Sequence, residues 1–190
     1  MNLLLIGPPG SGKGTQGRRL AERLGLEHIA AGDLLRAEVA AGTPVGQQVA
    51  ALMQRGELVP DETIIALLLP RARRAAAAHG YLLDGFPRSV EQARKAGEKL
   101  TDAELPTVVV YLDVPHDELR RRILARAAVE GRADDNGETI ENRLKVFADQ
   151  THPLVDYFRE RGLLHVVDAD RGPEEVTEAI LRALHQQGHA

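Results

Sequence analysis

The stretch NLLLIGPPGSGKGT, residues 2–15, constrains the fold more than any other part of the chain. It has the order strand, glycine-rich loop, helix, and Gly7 to Lys13 fit the G-x-x-x-x-G-K core of a phosphate-binding loop. The residue types follow from the physics. Glycines let backbone N–H groups curl around phosphate oxygens, the following helix offers its positive end, and Lys13 adds a point charge. The generic pattern places Ser or Thr directly after the lysine as a Mg²⁺ ligand; here Gly14 stands there and Thr15 comes one later. Either Thr15 substitutes, or the metal is held mainly through water by acids elsewhere.

The pattern downstream agrees with that opening. NLLLI (2–6), YLLD (81–84), TVVVYLDV (107–114) and LLHVVD (163–168) are continuous apolar runs and read as buried parallel strands, with LEHI (26–29) a weaker fifth. Helical patterns lie between them near 13–24, 61–77, 89–100, 116–127, 138–160 and 173–186, several opened by start signals such as PDET, PHDE and GPEE. This alternation predicts an α/β fold, a doubly wound five-stranded parallel sheet in one domain spanning 1–190. Residues 30–59 hold two short helical patterns without a strand and predict a small inserted helical lobe. Residues 128–137, AVEGRADDNG, are polar and turn-rich between two helices and read as a mobile loop.

Charge and composition narrow the partners. A net charge of −4 argues against a nucleic-acid backbone or an anionic membrane as main partner, and favours a small molecule. The chain has no cysteine, which removes disulfides and thiolate zinc sites and fits a reducing compartment. The apolar run before Gly7 is too short for a signal-peptide core or a membrane span, so the expectation is a soluble cytoplasmic protein. Only four of the 24 basic residues are lysine, at 13, 95, 99 and 145; arginines are so frequent that each needs a positional argument. Two acids end apolar runs and are candidates to help hold a metal: Asp84 and Asp113. Asp113 precedes Pro115 and could equally close its strand or cap the next helix. Asp84 opens the rigid turn DGFPR and is favoured.

GPPGSGKGTQ, GDLLR, LVPDE, DGFPRSVEQA and GRADDNGETIENRL, in this order and spacing, resemble the nucleoside monophosphate kinases, most closely the adenylate kinases, from Asn2 to about Val176. The resemblance implies a P-loop NTPase-type sheet carrying an acceptor-binding lobe over 30–59 and a short lid over about 126–137. It implies reversible transfer of the terminal phosphoryl group of ATP to AMP with Mg²⁺, giving two ADP, and neither zinc, nucleic acid nor membrane as a partner. It also implies a monomer. By motif match, Gly10, Ser11, Gly12, Lys13, Gly14 and Thr15 cradle the donor phosphates, with Lys13 bridging the reacting ones. Arg36 and Arg88 grip the acceptor phosphate. Glu57, Leu58 and Val59 line the acceptor pocket, Gly85, Phe86, Pro87 and Arg88 form its floor, and Gln92 reads the base edge. Arg122 and Arg126, four apart on one helix face, suit the donor base and a phosphate. Arg132 and Arg143 complete a charge clamp, Asp134 and Asp135 match loop-closing acids, and Arg171 meets the donor adenine through its backbone. Asp84 is the expected metal residue, through water. Arg71, Arg73, Arg74, Arg120 and Arg121 fall outside the motifs and read as solvated surface.

One position departs from the adenylate kinase pattern. Where a Thr usually precedes GD and its hydroxyl helps recognise the AMP base, this chain has Ala31, which resembles the UMP/CMP kinases. Gln92 points back towards AMP. A neutral hydrogen bond is worth about 0.5–1.5 kcal/mol net, so the missing hydroxyl weakens a preference without reversing it. The contexts GTPVG, LVPDE and SVEQA favour AMP as acceptor, with UMP or CMP as the alternative.

Overall fold

The computed structural model describes the backbone of residues 1–130 and 137–186 and the side chains of 1–125 and 139–186. Five strands, β1 (Asn2–Ile6), β2 (Glu27–Ala30), β3 (Tyr81–Asp84), β4 (Val108–Asp113) and β5 (Leu164–Asp168), form one sheet in the order β2-β3-β1-β4-β5. All four pairings are parallel, so the expected fold class is observed. The fifth strand, read weakly from LEHI, is present at the sheet's edge.

The helices are α1 (Lys13–Leu24), α2 (Ala31–Ala40), α3 (Pro44–Arg55), α4 (Asp61–Ala78), α5 (Val90–Gly97), α6 (His116–Glu130), α7 (Gly137–Val146), α8 (Pro153–Arg159) and α9 (Pro173–Gln186). They cover both faces because strand side chains alternate. Leu4, Ile6, Leu83, Val109 and Tyr111 join one core with Ile65 and Leu68 of α4 and Leu154 and Phe158 of α8. Leu3, Leu5, Leu82, Val110 and Leu112 join the other with Leu20 of α1, Ile123 of α6 and Ile180 of α9. Both faces of the central strands are dry, which is why those strands read as unbroken apolar runs.

Three helices differ from their expected spans, the first being α6, which runs to Glu130 and so into the segment expected as loop from 128. The pattern near 89–100 forms helix only to Gly97. The single helix expected over 138–160 is broken: α7 passes into a π-helical turn, Phe147–Thr151, and α8 begins afresh at Pro153. Pro153 has no N–H to give the carbonyl four residues earlier, and the His152 N–H instead reaches the Phe147 carbonyl at 2.8 Å, a five-residue step. The His152 ring fills the corner, edge-on to Tyr111 and Phe147 at centroid distances of 6.2 and 6.3 Å.

In open α/β sheets ligands bind beyond the carboxyl ends of the strands, where the strand order reverses. That place here is the end of β1, between β3 and β4. Asp84 pairs in register with Leu5 there, immediately beside the glycine-rich loop.

Candidate active site

The loop between β1 and α1 is shaped by two glycines with positive φ, Gly10 at 83° and Gly12 at 94°. A Cβ at Gly10 would lie 2.8 Å from Ile123 Cγ1 and 2.9 Å from the Leu119 carbonyl oxygen, so this glycine also admits α6 against the loop. The Ser11 N–H closes a turn on the Pro8 carbonyl at 3.1 Å, and the Lys13 ammonium donates to the Gly7 and Pro8 carbonyls at 2.7 and 2.8 Å. Lysine is thereby folded over the loop it follows. The Ser11 hydroxyl oxygen is buried with no hydrogen-bond partner among the described residues. A buried polar atom in an amide-lined loop is the kind of group an anion satisfies.

Above the loop opens a cleft of about 590 Å³. Of the residues singled out from sequence, Gly10 to Thr15, Arg36, Leu58, Asp84, Gly85, Pro87, Arg88, Arg122, Arg143 and Arg171 line it. They come from separate parts of the chain: the loop before α1 and its first turn, α2, the coil after α3, the end of β3 and the loop after it, α6, α7 and the turn after β5. Asp84 is 8% exposed, and its Oδ2 lies 3.7 Å from Nε2 of His28 on β2. Asp113, the other candidate acid, is exposed and its carbonyl accepts the Ala169 N–H at 2.8 Å, closing the β4–β5 end. Of these two acids Asp84 is the one beside the glycine loop, its Oδ2 lying 3.9 Å from where a Cβ on Gly14 would stand.

Ala31, Val59, Phe86 and Gln92 are buried behind the cleft wall. Glu57 turns outward: Arg55 Nε and Nη2 donate to its two carboxylate oxygens at 2.8 and 3.0 Å, and this pairing lowers its pKa. Arg132, Asp134 and Asp135 and the side chain of Arg126 lie outside the described residues.

Several arginines are aimed by named partners. Arg88 is held along its length: its N–H donates to Gln92 Oε1 at 2.8 Å, its Nε to the Gly85 carbonyl at 2.9 Å, and its carbonyl accepts from Thr151 Oγ1 at 2.7 Å. Arg36 Nη2 meets Asp33 Oδ1 at 2.5 Å, one turn back on α2. Arg122 Nε donates to Glu118 at 2.6 Å and its Nη1 to the Ala169 carbonyl at 3.0 Å. Glu118 holds Arg121 as well, and hydrogen bonds from Arg121 and then Arg122 bring its carboxyl down to about 2. Arg171 Nε donates to Asp168 at 2.9 Å. Arg143 passes over Gly56, where a Cβ would stand 2.6 Å from Arg143 Cγ; with φ at 69°, that position both ends α3 and leaves room for the arginine.

The cleft thus gathers a glycine loop, one lysine and several arginines at the carboxyl ends of the strands. The adenylate kinase family model matches residues 5–163. The chain belongs to the adenylate kinase family. Curated relatives agree: the adenylate kinase of Xanthomonas euvesicatoria is 46% identical over 97% of this chain and 99% of its own length. That of Stenotrophomonas maltophilia stands at the same values, and that of Thermus thermophilus is 45% identical, covering 96% of each chain. The pyrimidine alternative raised by Ala31 gains no support from these relatives.

Sequence reasoning missed Asp33, Gln16 and Thr151. Gln16 is buried at the start of α1, where its Nε2 donates to the Pro173 carbonyl at 2.8 Å and its Oε1 accepts from Thr177 at 2.7 Å, tying the glycine loop's helix to α9. A buried amide two or three residues after a P-loop lysine is a signal that could have been read. Thr151 left a weaker one, the His-Pro pair that follows it.

Proposed function

We propose that this adenylate kinase family member catalyses reversible phosphoryl transfer from ATP to AMP, giving two ADP, and so serves adenine nucleotide balance. The observation that carries the reading is the convergence of Lys13, Arg36, Arg88, Arg122, Arg143 and Arg171 with the glycine loop on one cleft. Pure nucleotide binding needs no such ring of cations. Phosphoryl transfer does, because charge spreads over the equatorial oxygens in the transition state while the protein supplies position and positive potential.

In this reading an oxygen of the AMP phosphate attacks the terminal phosphorus of ATP, and the bond from that phosphorus to the bridging oxygen breaks. The attacking oxygen is already ionised, so no side chain has to remove a proton. The loop amides of Gly10 to Thr15 hold the donor phosphates and Lys13 bridges the reacting ones. Arg36 and Arg88 hold the acceptor phosphate, and Arg126, Arg132 and Arg143 complete the clamp. Arg122 and Arg171 flank the donor base, while Ala31, Glu57, Leu58, Val59, Gly85, Phe86, Pro87 and Gln92 build the acceptor pocket.

A Mg²⁺ ion fits the residues present. The Asp84 carboxylate lies beside the glycine loop, and Mg²⁺ bound with nucleotide keeps several waters and takes few protein ligands. Asp84 would hold it through water, and the ion would neutralise charge between the donor phosphates. Among the described residues no group of three or more His, Asp or Glu could hold a metal without the nucleotide.

Residues 30–59 act as the acceptor lobe and about 126–137 as a short lid that closes to keep water from bound ATP. No described helix is long and apolar enough to cross a membrane. We further propose a cytoplasmic monomer whose partners are small nucleotides. An assay coupling ADP formation to a dye, with ATP and each of AMP, GMP, UMP and CMP, tests the reading. AMP is expected to be the best acceptor; a faster rate with UMP or CMP would overturn it in favour of a pyrimidine kinase.

A further inference from the structure

We propose that Thr151 is a positioning residue for the acceptor half of the site, acting through the backbone of Arg88. Thr151 is 6% exposed and lines the cleft. It is the last residue of the π-helical turn Phe147–Thr151. In a regular helix successive residues advance by 100°, so an inserted π step rotates everything after it and re-aims one side chain relative to its neighbours; such turns recur at functional sites. Here the re-aimed group is the Thr151 hydroxyl, which donates to the Arg88 carbonyl at 2.7 Å.

That bond completes a three-point hold. Arg88 is in the loop between β3 and α5, where neither sheet nor helix fixes its backbone. Gln92 accepts the Arg88 N–H, the Gly85 carbonyl accepts its Nε, and Thr151 supplies the donor for its carbonyl. The first two partners are in the same loop or the helix it opens, and move with it. Thr151 comes from a distant segment, 63 residues on. The same segment, α7 running into the π turn, carries Arg143. Thr151 therefore fixes the distance between two arginines that face one cleft from different parts of the chain. An arginine displaced by an ångström loses much of its effect on a transferring phosphoryl group.

The inference rests on the assignment of Arg88 to the acceptor phosphate. Its test is steady-state kinetics of Thr151→Val and Thr151→Ser in the wild-type and Arg88→Lys backgrounds, with melting temperatures alongside. Valine keeps the shape and removes the hydroxyl that donates to the Arg88 carbonyl. We expect Thr151→Val to lower kcat/KM for AMP by roughly tenfold to a hundredfold while KM for ATP stays within about twofold. Serine is expected to restore wild-type values within about threefold, and in the Arg88→Lys background valine is expected to add less than about threefold. Should the valine variant fail to fold, Thr151→Ala gives the same comparison. Equal losses towards ATP and AMP, failure of serine to restore, or a full additional loss in the Arg88→Lys background would each overturn the proposal. Wild-type AMP kinetics in Arg88→Lys alone would overturn the role of Arg88 instead.

Discussion

Arg88 shows what a single residue in this cleft is asked to do and how it is held there. Its guanidinium is aimed by the Gly85 carbonyl, and its N–H is taken by Gln92. Replacing Arg88 by alanine is expected to cut turnover by roughly two to three orders of magnitude, the scale seen when one preorganised donor to a transition-state charge is lost. ATP affinity, measured by titration calorimetry, is expected to stay within about threefold, because the donor phosphates rest on the glycine loop. Equal loss of both would contradict the assignment. Ala31 belongs to the same scale. It is buried at the start of α2, and its Cβ lies 3.9 Å from where a Cβ on Gly85 would stand. Ala31→Thr, or Ala31→Ser if threonine is too large, is expected to raise the ratio of AMP to CMP turnover by about tenfold, one hydrogen bond's worth. An unmoved ratio would remove this position from base choice. The arginines and glycines of the site were legible in the sequence because motifs fix their spacing. The partners that aim them were not: nothing local in QTHPL says that Thr151 meets a carbonyl 63 residues earlier.

At the scale of elements, the loop before α1 and the turn of α6 carry the most specific expectations. Gly10 and Gly12 both have positive φ, but a Cβ at Gly12 meets nothing within 4 Å whereas one at Gly10 meets α6. Gly12→Ala should therefore cost only backbone strain, about 1–3 kcal/mol. Gly10→Ala should cost more by thermal denaturation, because Ile123 and the Leu119 carbonyl must also give way. A smaller loss at Gly10 would contradict the close approach of α6. Glu118 on α6 titrates near 2, below its ordinary 4.5, because Arg121 and Arg122 donate to it. Its folded pKa is lowered, so the pair stabilises the fold above about pH 4.5 and the contribution fades as pH falls towards 2. The stability difference between wild type and Glu118→Gln is thus expected to be constant above about pH 5 and to vanish in strong acid. A difference that grows with acid would contradict the pairing. The break at Thr151–Pro153 lies in the pattern expected as one helix over 138–160. Apolar periodicity carried on through the π turn, because Leu144, Phe147, Leu154 and Val155 still pack into the two cores, and only the missing N–H of Pro153 marked the change.

For the whole molecule, the sheet order β2-β3-β1-β4-β5 explains why so many chemistry-bearing residues converge. Parallel strands end on one side, and each following loop adds a residue to the same crevice. The number and type of strands were legible from their apolar runs; their lateral order was not, because that depends on which helix covers which face. The segment 30–59 was legible as an interruption of the rhythm, and α2 and α3 follow one another there with no strand between them. How it meets the rest was not. In the structure Thr139 Oγ1 donates to the Gln54 carbonyl at 2.8 Å and Asn142 Nδ2 donates to that of Arg55, so the end of α3 rests on α7. In the proposed reaction this cleft moves a phosphoryl group between two adenine nucleotides. Phosphorus-31 NMR of the protein with Mg²⁺ and ADP as sole nucleotide tests it most directly. ATP and AMP are expected to appear in equal amounts and the mixture to settle at an equilibrium containing all three. AMP and inorganic phosphate without ATP, or unchanged ADP, would contradict it.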